Sequence, residues 1–426
     1  MSIFDSITAY VKKRFQKKWN KVYATPFYRK RFLQKKIDAV RQKDKLSVLF
    51  IIHNASMWKT DSLYNAMRKH ERFDVELLVV PNASLKDEET RRNELHQTRR
   101  FFEQKQYPFV EWCNEMGETE YKAIPEQYDI LIYPQPWPGL VPSALDFPNN
   151  FGRLMINCEY AFHSGIQKWA YNKPYQNAAW IDCFENEVIC KFSRKIKPNK
   201  GVNSVATGLP IVDEFKRDAY VTPWKSQATP CKKLIWAPHW TIEEKSSKLP
   251  SYSRFLEVAD FMLDLAKSHI GEIQFAFKPH PYLKRELFKH PDWGKERTEA
   301  YYAAWENGEN TQLEQGGYID LFMTSDAMVH DSSSFCCEYM LTGKPVLFMV
   351  KNEKLQVSLM NEMAQSAFYA QYLGNTMDDL KSFVDNRLMK DNDPKKEERV
   401  AFAKKYLLPP NNLSAAENII NAILGV

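Results

Sequence analysis

The segment from 318 to 350, YIDLFMTSDAMVHDSSSFCCEYMLTGKPVLFMV, constrains the fold of this chain more than any other stretch. Short apolar runs alternate in it with polar turns, as in strands joined through a helix. We predict three buried strands and one short helix, at 319–323, 327–329, 346–350 and 335–341. Gly343 and Pro345 follow the helix, where glycine ends a helix and proline prevents its continuation. This is the order of a βαβ unit, and it predicts a parallel α/β sheet.

Five polar residues lie between the second strand and the helix: His330, Asp331, Ser332, Ser333 and Ser334. Open parallel sheets bind ligands outside the carboxyl ends of their strands. A helix N-terminus with free N–H groups and serine hydroxyls is suited to an anion. The alternative is that the serines only cap the helix, for which one serine would suffice. We favour a phosphate-binding site over a simple cap.

Two other predicted strands of the C-terminal half also end in polar residues. His239 follows the strand that begins at Lys233, and Lys278 and His280 follow the strand at 273–277. In a parallel sheet these two strand ends lie along the same edge as the end at His330. The sequence therefore predicts three groups of polar side chains along one edge.

Strands alternate with helices in the N-terminal half as well, which predicts a second doubly wound domain. The predicted strands lie at 47–53, 74–80, 128–133, 153–158, 178–184 and 203–207. No G-x-G-x-x-G and no P-loop sequence occurs, so we expect neither a dinucleotide site nor an ATP site.

The sequence HDSSSFCCEYMLTGKP resembles TDYSSVFFDYLLTGKP, a signature of the CDP-glycerol glycerophosphotransferase family, whose members are primases and polymerases of wall teichoic acid and related capsules. His330, Ser332 and Glu338 replace the residues usual in the family. The identical residues are Asp331, Ser333, Ser334, Gly343, Lys344 and Pro345. The segment 278–281, KPHP, is similar to the family's RPHP. The resemblance covers most of the chain from about residue 200 onward.

The resemblance and the two αβ halves imply a GT-B-like α/β fold, with two Rossmann-like doubly wound domains facing a cleft. The basic composition of the first residues adds a basic helical N-terminal extension. On this basis we expect five segments. They are a basic amphipathic helical segment at 1–45, an acceptor domain at 46–216, a linker at 217–231, a nucleotide-donor domain at 232–410, and a terminal helix at 411–426 that returns to the first domain.

The activity implied by the resemblance is the transfer of glycerol phosphate, or a similar polyol phosphate, from a CDP-activated donor. The acceptor would be a lipid-linked or saccharide precursor of a cell-surface polymer, and CMP would leave. The CDP-linked donor is a substrate, so no cofactor is implied, and no carboxylate cluster has the spacing of a metal site. A glycosyltransferase with a nucleotide-sugar donor, and an inactive scaffold at a membrane surface, are the alternatives.

The candidate catalytic residues are His280, His163 and Asp331. The candidate donor-binding residues are His239, Lys278, His330, Ser332, Ser333, Ser334 and Glu338. Imidazoles and hydroxyls would donate to the pyrophosphate, and Glu338 would reach a ribose or polyol hydroxyl.

The residue that activates the acceptor is left open by the sequence. The family commonly places a His-Gly pair in its first domain, and the nearest candidates here are His163, in Phe-His-Ser-Gly, and His53, for which a structural role is favoured. The segment 135–138, which contains Trp137, either lines the acceptor cleft or packs a turn.

The N-terminal residues are strongly basic. Residues 1–45 contain fourteen Lys and Arg against three Asp and Glu, whereas the rest of the chain is slightly acidic. Basic residues interleaved with aromatic ones at helical spacing over 4–43 are typical of helices that bind anionic membranes. The alternative is a solvated helix packed on its domain, and nucleic acid is not an expected partner.

The remaining features favour a cytoplasmic protein on the inner face of the cell membrane. The first residues lack the apolar core of a signal peptide. The seven cysteines form no C-x-x-C pair, which argues against a disulfide framework.

Overall fold

The computed structural model describes residues 22, 25–112, 124–134, 137–243, 251–332 and 335–426, without the side chains of Pro148 and Trp169. The chain forms two compact units. Unit 1 comprises 1–161, 167–214 and 408–426, and unit 2 comprises 162–166 and 215–407.

Unit 1 contains a parallel sheet of six strands in the order β2-β1-β3-β4-β5-β6. The strands are β1 (Leu46–Ile52), β2 (Phe73–Val79), β3 (Ile130–Tyr133), β4 (Leu154–Cys158), β5 (Ile181–Phe184) and β6 (Ser204–Ala206). Parallel strands are covered by helices on both faces, which explains why β1 is an almost continuous apolar run with six of its seven residues buried.

Helix α1 of unit 1 is one continuous helical run, formed by Pro26–Tyr28, a π-helical turn at Arg29–Leu33 and Gln34–Gln42. The other helices are α2 (Asp61–Lys69), α3 (Glu88–Gln104), α4 (Pro174–Ala178), α5 (Glu187–Ile196), α6 (Pro210–Asp213) and, from the C-terminus of the chain, α16 (Ala415–Leu424). Short 3₁₀ turns occur at Ala55–Met57, Phe147–Asn149, Lys168–Ala170, Glu214–Lys216 and Pro410–Asn412.

Unit 2 contains a second parallel sheet of six strands, in the order β12-β11-β10-β7-β8-β9. The strands are β7 (Lys232–Ala237), β8 (Ile273–Phe277), β9 (Thr311–Leu313), β10 (Ala327–His330), β11 (Val346–Met349) and β12 (Tyr372–Gly374).

The helices of unit 2 alternate with these strands. They are α7 (Phe255–Ser268), α8 (Leu283–Lys289), α9 (Gly294–Asn307), α10 (Ile319–Thr324), α11 (Phe335–Glu338) continued by a 3₁₀ turn at Tyr339–Thr342, α12 (Glu353–Ser358), α13 (Glu362–Tyr369), α14 (Met377–Phe383) continued by a π-helical turn at Val384–Leu388, and α15 (Lys396–Tyr406).

One element of the segment 318–350 was predicted wrongly. The run 319–323 is helix α10 and not a strand. A short apolar run cannot be assigned to helix or strand by periodicity alone. Here the ring of Phe322 packs against those of Tyr318, Phe335 and Tyr339, four or more residues away, which a helix allows. The strands at β10 and β11 and the helix at α11 are confirmed.

Candidate functional site

The carboxyl edge of the sheet in unit 2 brings the predicted polar groups together. Strands β10, β7 and β8 are adjacent and parallel, with His330 paired with Ala237, and Trp236 paired with Phe277. The segments that carry Asp331, His239 and His280 therefore leave the sheet at the same edge. The prediction that the three strand ends share one edge is confirmed.

His239 and His280 lie side by side at this edge, with ring centroids 5.1 Å apart. The backbone N–H of Tyr282 donates to Nδ1 of His280 at 3.1 Å. Nδ1 of His239 contacts the Thr241 hydroxyl at 2.8 Å and the Thr241 backbone N–H at 3.4 Å. Because a backbone N–H can only donate, Nδ1 of each ring is an acceptor, and the proton of the neutral imidazole is on Nε2.

Both imidazoles are neutral near pH 7. Burial, with a smaller effect of His280, lowers the pKa of His239 to about 3, and burial lowers the pKa of His280 to about 4. Two neutral Nε2–H donors are suited to an anionic oxygen, and an anion placed beside them would in turn favour their protonation.

Asp331 holds the loops around the histidines in place. Its carboxylate accepts hydrogen bonds from the backbone N–H of His239 at 2.5 Å, from the backbone N–H of Arg254 at 2.8 Å and from the Ser253 hydroxyl at 2.9 Å. Burial raises the pKa of Asp331 to about 6, although these three donors favour the ionised form. The carboxylate thus fixes the loop after β7 and the start of α7, instead of orienting an imidazole.

Aromatic side chains surround the two histidines. Trp240 and Tyr282 lie with ring centroids 6.1 Å and 5.4 Å from the ring of His280, and half of Tyr282 is exposed. The Arg285 guanidinium lies 4.5 Å from the centroid of the Tyr282 ring. Trp240, Tyr282 and Arg285 were not predicted as site residues from the sequence. The sequence did offer a signal for two of them, because an aromatic residue follows each strand-end histidine: Trp240 directly after His239, and Tyr282 two residues after His280.

His330 is placed differently from the other two histidines. Its side chain is 1% exposed, Nε2 contacts Oε1 of Gln371 at 2.6 Å, and Nδ1 lies 3.2 Å from the backbone N of Ser332. Burial lowers its pKa to about 4, partly offset by its hydrogen bonds to Gln371 and Ser332. Both ring nitrogens are thus engaged within unit 2, where they connect β10 to the end of α13.

The serine cluster is described only in part. Ser332 is buried, and its carbonyl accepts a hydrogen bond from the backbone N–H of Cys336 at 3.2 Å, which begins the first turn of α11. Ser333 and Ser334 lie outside the described residues. Their donor-binding roles stay predictions.

Lys278 and Glu338 are both buried. Nζ of Lys278 donates to the carbonyl of Gly316 at 2.8 Å, next to the loop after β9. Glu338 lies beside Tyr318, and burial together with this carboxylate raises the pKa of the Tyr318 phenol. Lys278 and Glu338 thus both interact with the loop at 314–318, between β9 and α10.

The two candidates for acceptor activation lie in different units. His53 follows β1 in unit 1 and is 4% exposed, and burial lowers its pKa to about 4. His163 is in the segment 162–166, which clusters with unit 2. Its carbonyl accepts from Nδ2 of Asn361 at 2.5 Å, and Gly165 forms an antiparallel bridge with Met360.

Lys344 of the TGKP sequence has a structural contact. Nζ donates to the carbonyls of Phe322, Met323 and Ser325 at 3.2, 2.6 and 2.5 Å, at the C-terminus of α10. Burial lowers its pKa to about 8. Gly343 ends the preceding turn at φ +69°, as predicted, because an L side chain is disfavoured in the left-handed region.

Comparison with known families places this geometry in context. The sequence model of the CDP-glycerol:poly(glycerophosphate) glycerophosphotransferase family matches residues 186–425, more than half of the chain. The chain belongs to this family. It is accordingly an enzyme of the CDP-glycerol glycerophosphotransferase type, as predicted from the segment 318–350. A search of curated protein sequences gave no match.

Solved structures confirm the GT-B-like α/β fold. The wall teichoic acid polymerase TagF superposes with a TM-score of 0.53 at 15% identity over 99% of this chain and 96% of its own. A TagF variant soaked with CDPG gives 0.56 at 15% identity with the same coverage. A UDP-N-acetylglucosamine 2-epimerase gives 0.52 at 14% identity over 89% of this chain and 95% of its own.

Proposed function

We propose that this enzyme transfers glycerol phosphate, or a similar polyol phosphate, from CDP-glycerol or a related CDP-linked donor to a hydroxyl group of a cell-surface polymer precursor. The acceptor oxygen bonds to the phosphorus that carries glycerol, the bond from that phosphorus to CMP breaks, and the acceptor gives up its proton. The family membership supports the donor class, and a TagF variant was soaked with CDPG. No cofactor is part of the proposal.

The observation that carries the proposal is the pair of neutral imidazoles at the carboxyl edge of the sheet in unit 2. Phosphoryl transfer depends mainly on positioning and on stabilising negative charge as it moves to the leaving group. Donors fixed before the reaction stabilise such charge without reorganisation. His239 and His280 have Nδ1 fixed by backbone N–H groups, so their Nε2–H donors are preorganised.

The other candidate residues take roles that follow from their contacts. Asp331 positions the loop of His239, and Lys278 and Glu338 organise the loop at 314–318. Ser332, Ser333 and Ser334 stay candidates for the donor phosphates, and His163 stays a candidate for acceptor activation.

The test is a transfer assay that follows CMP release from CDP-glycerol. We expect His280→Ala to reduce kcat by roughly 10²–10³, the usual effect of removing one fixed donor to a developing charge. The control is His269→Ala, since His269 follows α7 and precedes β8, away from the carboxyl edge. Full activity of His280→Ala with an unchanged melting temperature would remove the histidine pair from the reaction.

The donor class is tested separately by calorimetric titration with CDP-glycerol, CMP and UDP-N-acetylglucosamine. Binding of the cytidine ligands alone supports the proposal. Preference for the uridine ligand would replace the reaction by glycosyl transfer, and absence of any binding would favour the scaffold alternative.

The proposal includes attachment to the inner face of the cell membrane through the basic helical segment. Exposed basic side chains of α1 and Phe27, which is 62% exposed, support it for the described residues. The part of this prediction that falls on residues 4–21, 23 and 24 lies outside the described residues. Among the described residues, no helix combines the length and the apolar character needed to cross a membrane.

A further inference from the structure

The carboxyl edge of the sheet in unit 1 carries a second group of polar and aromatic side chains. Strands β3 and β4 are parallel neighbours, with Tyr133 paired with Asn157. Trp137 follows β3, and Glu159 and Tyr160 come directly after β4. These side chains lie at the edge where parallel sheets bind ligands. They are not part of the family signatures, which lie in unit 2.

The carboxylate of Glu159 is held in place by two amide side chains. It is 8% exposed, and Oε1 accepts from Nδ2 of Asn157 at 3.1 Å and from Nε2 of Gln176 at 3.4 Å. The neighbouring carboxylate of Asp182 is neutralised within the core by Lys197. A buried carboxylate is costly unless it is paired and hydrogen bonded, so the donors at Asn157 and Gln176 help to keep Glu159 in its buried position.

Lys173 and Trp137 are the other two members of the group. Nζ of Lys173 lies 4.4 Å from the centroid of the Trp137 ring. Burial lowers the pKa of Lys173, and the charge of Glu159 opposes this shift. The Trp137 ring is 38% exposed and contacts Tyr160, with centroids 6.1 Å apart.

The three side chains provide three different kinds of contact in one place. An exposed aromatic ring offers an apolar face, an ammonium group pairs with a phosphate, and a carboxylate accepts from a hydroxyl. Ligand sites combine apolar surface with a few fixed polar groups in this way. A phosphate ester of a polyol offers all three partners, namely carbon-bound hydrogens, a phosphate and a hydroxyl.

We propose that Trp137, Glu159 and Lys173 form the acceptor-binding site of unit 1, which takes a polyol chain that carries phosphate. The carboxylate of Glu159 accepts the hydrogen bond of a polyol hydroxyl, the Lys173 ammonium pairs with a phosphate of the chain, and Trp137 covers the carbon atoms between them. This inference rests on the proposed function, because the acceptor is defined only for that reaction. It also assigns Trp137 to ligand binding rather than to turn packing.

The test measures KM for donor and acceptor separately. The donor is CDP-glycerol, and the acceptor probe is a synthetic oligo(glycerol phosphate). We expect Glu159→Gln, Lys173→Met and Trp137→Ala each to raise the acceptor KM at least tenfold and to leave the donor KM within twofold. In Glu159→Gln the side-chain oxygen can still accept hydrogen bonds from Asn157 and Gln176. The other carboxylate oxygen is replaced by an amide NH₂ group, which donates instead of accepting. Lys195→Met, an exposed lysine of α5, is the matched control.

The outcomes separate this inference from the proposed function. If the wild-type enzyme releases no CMP from CDP-glycerol, the proposed function fails. If the wild-type enzyme transfers but the variants have the acceptor KM of Lys195→Met, the site is overturned and the reaction stands. Trp137→Ala keeps the test valid if the substitutions at the buried Glu159 and the half-buried Lys173 unfold the protein, because the Trp137 ring is partly exposed.

The phosphate contact has its own test. Lys173→Met should weaken the use of oligo(glycerol phosphate) more than the use of free glycerol at high concentration, whereas Trp137→Ala should weaken both. An equal loss with both acceptors in Lys173→Met would overturn the phosphate contact.

Discussion

Among the described residues, burial keeps four histidines neutral, and these four side chains have different roles. His53 lies in unit 1, and His239, His280 and His330 lie in unit 2. Burial lowers the pKa of each to about 3 or 4. The same lowering of the pKa thus occurs in His330, whose two ring nitrogens are both engaged, and in His239 and His280. For these two we propose that the Nε2–H groups bind the CDP-linked substrate. The hydrogen-bond partners of each ring, and not its pKa, distinguish the roles.

Stability should fall as the pH is lowered from about 6.5 towards 4. In this range the unfolded chain binds protons at these histidines and the folded chain does not, so acid favours unfolding, and the stabilisation is complete above pH 6.5. Asp331, with its raised pKa, opposes this between its unfolded value and about 6. One fully buried histidine changes the free energy of unfolding by about 2 kcal/mol between pH 6.5 and 5.

Urea unfolding at pH 7.5, 6.5, 5.5 and 5.0 measures this dependence. His330→Gln should flatten the slope of stability against pH, whatever its effect on stability itself. His269→Gln, a half-exposed histidine, is the matched substitution and should keep the wild-type slope. Stability that is flat or rises towards pH 5 would contradict the neutral state of these side chains.

At the scale of elements, helix α1 has one buried apolar face and one exposed basic face. Tyr28, Leu33, Ile37 and Val40 are buried in the core of unit 1, and the Tyr28 hydroxyl accepts from the backbone N–H of Gly152 at 3.1 Å. The opposite face carries exposed basic residues, Lys30, Arg31, Lys35, Lys36 and Arg41. Because its apolar face is already packed, α1 can contribute to membrane binding mainly through charge and through Phe27.

Charge reversal on this face should weaken binding to anionic vesicles. We expect the triple variant Lys30→Glu, Arg31→Glu, Lys35→Glu to bind at least tenfold less to vesicles that contain phosphatidylglycerol, since each basic residue near such a surface contributes about 1 kcal/mol. Added salt should weaken the wild-type interaction. Co-sedimentation with anionic and with neutral vesicles is the measurement.

The matched control reverses three exposed lysines on helices of unit 2, Lys267, Lys295 and Lys404, which changes the net charge equally. Equal loss in both variants would show that net charge alone is responsible. Wild-type protein that stays in the supernatant with anionic vesicles would remove the membrane from the proposal for these residues.

At the scale of the molecule, the end of the chain completes the unit with which the chain begins. Residues 408–426 belong to unit 1, and Ile419 and Ile423 of α16 are fully buried in its core. Asp213, at the end of α6, accepts from the backbone N–H groups of Ala415 and Ala416 at 2.9 and 3.0 Å, so it caps the start of α16. The core of unit 1 therefore depends on residues that follow residues 215–407 of unit 2 along the sequence.

Ile419→Ala should destabilise unit 1 by roughly 2–5 kcal/mol, the usual cost of such a cavity in a core. Asp213→Ala should cost about 1 kcal/mol, as the loss of a helix cap does. Thermal unfolding measures the loss of stability, and limited proteolysis shows whether that loss lies in unit 1. Val426→Ala, whose side chain is 87% exposed, should unfold as the wild type does, and an equal midpoint for Ile419→Ala would contradict the assignment of α16 to the core.

Several features of the site could be predicted from sequence because they follow local rules. The edge shared by His239, His280 and Asp331 follows from strands that end in polar residues, and the turn at Gly343 follows from the conformational freedom of glycine. The role of Asp331 could not be predicted in this way. Its donors at Ser253 and Arg254 come from a loop that lies far away in the sequence.

The sequence by itself determined the α/β class, the parallel sheets and the family, because apolar periodicity, turn residues and signature motifs are local properties of the chain. Only the tertiary structure decided whether 319–323 is helix or strand, which histidine has its nitrogens engaged, and that Glu159, Lys173 and Trp137 lie together. Those outcomes depend on contacts between residues distant in sequence, such as His330 with Gln371 and Lys173 with Trp137. Burial, which sets the pKa of each histidine, exists only once those contacts have formed.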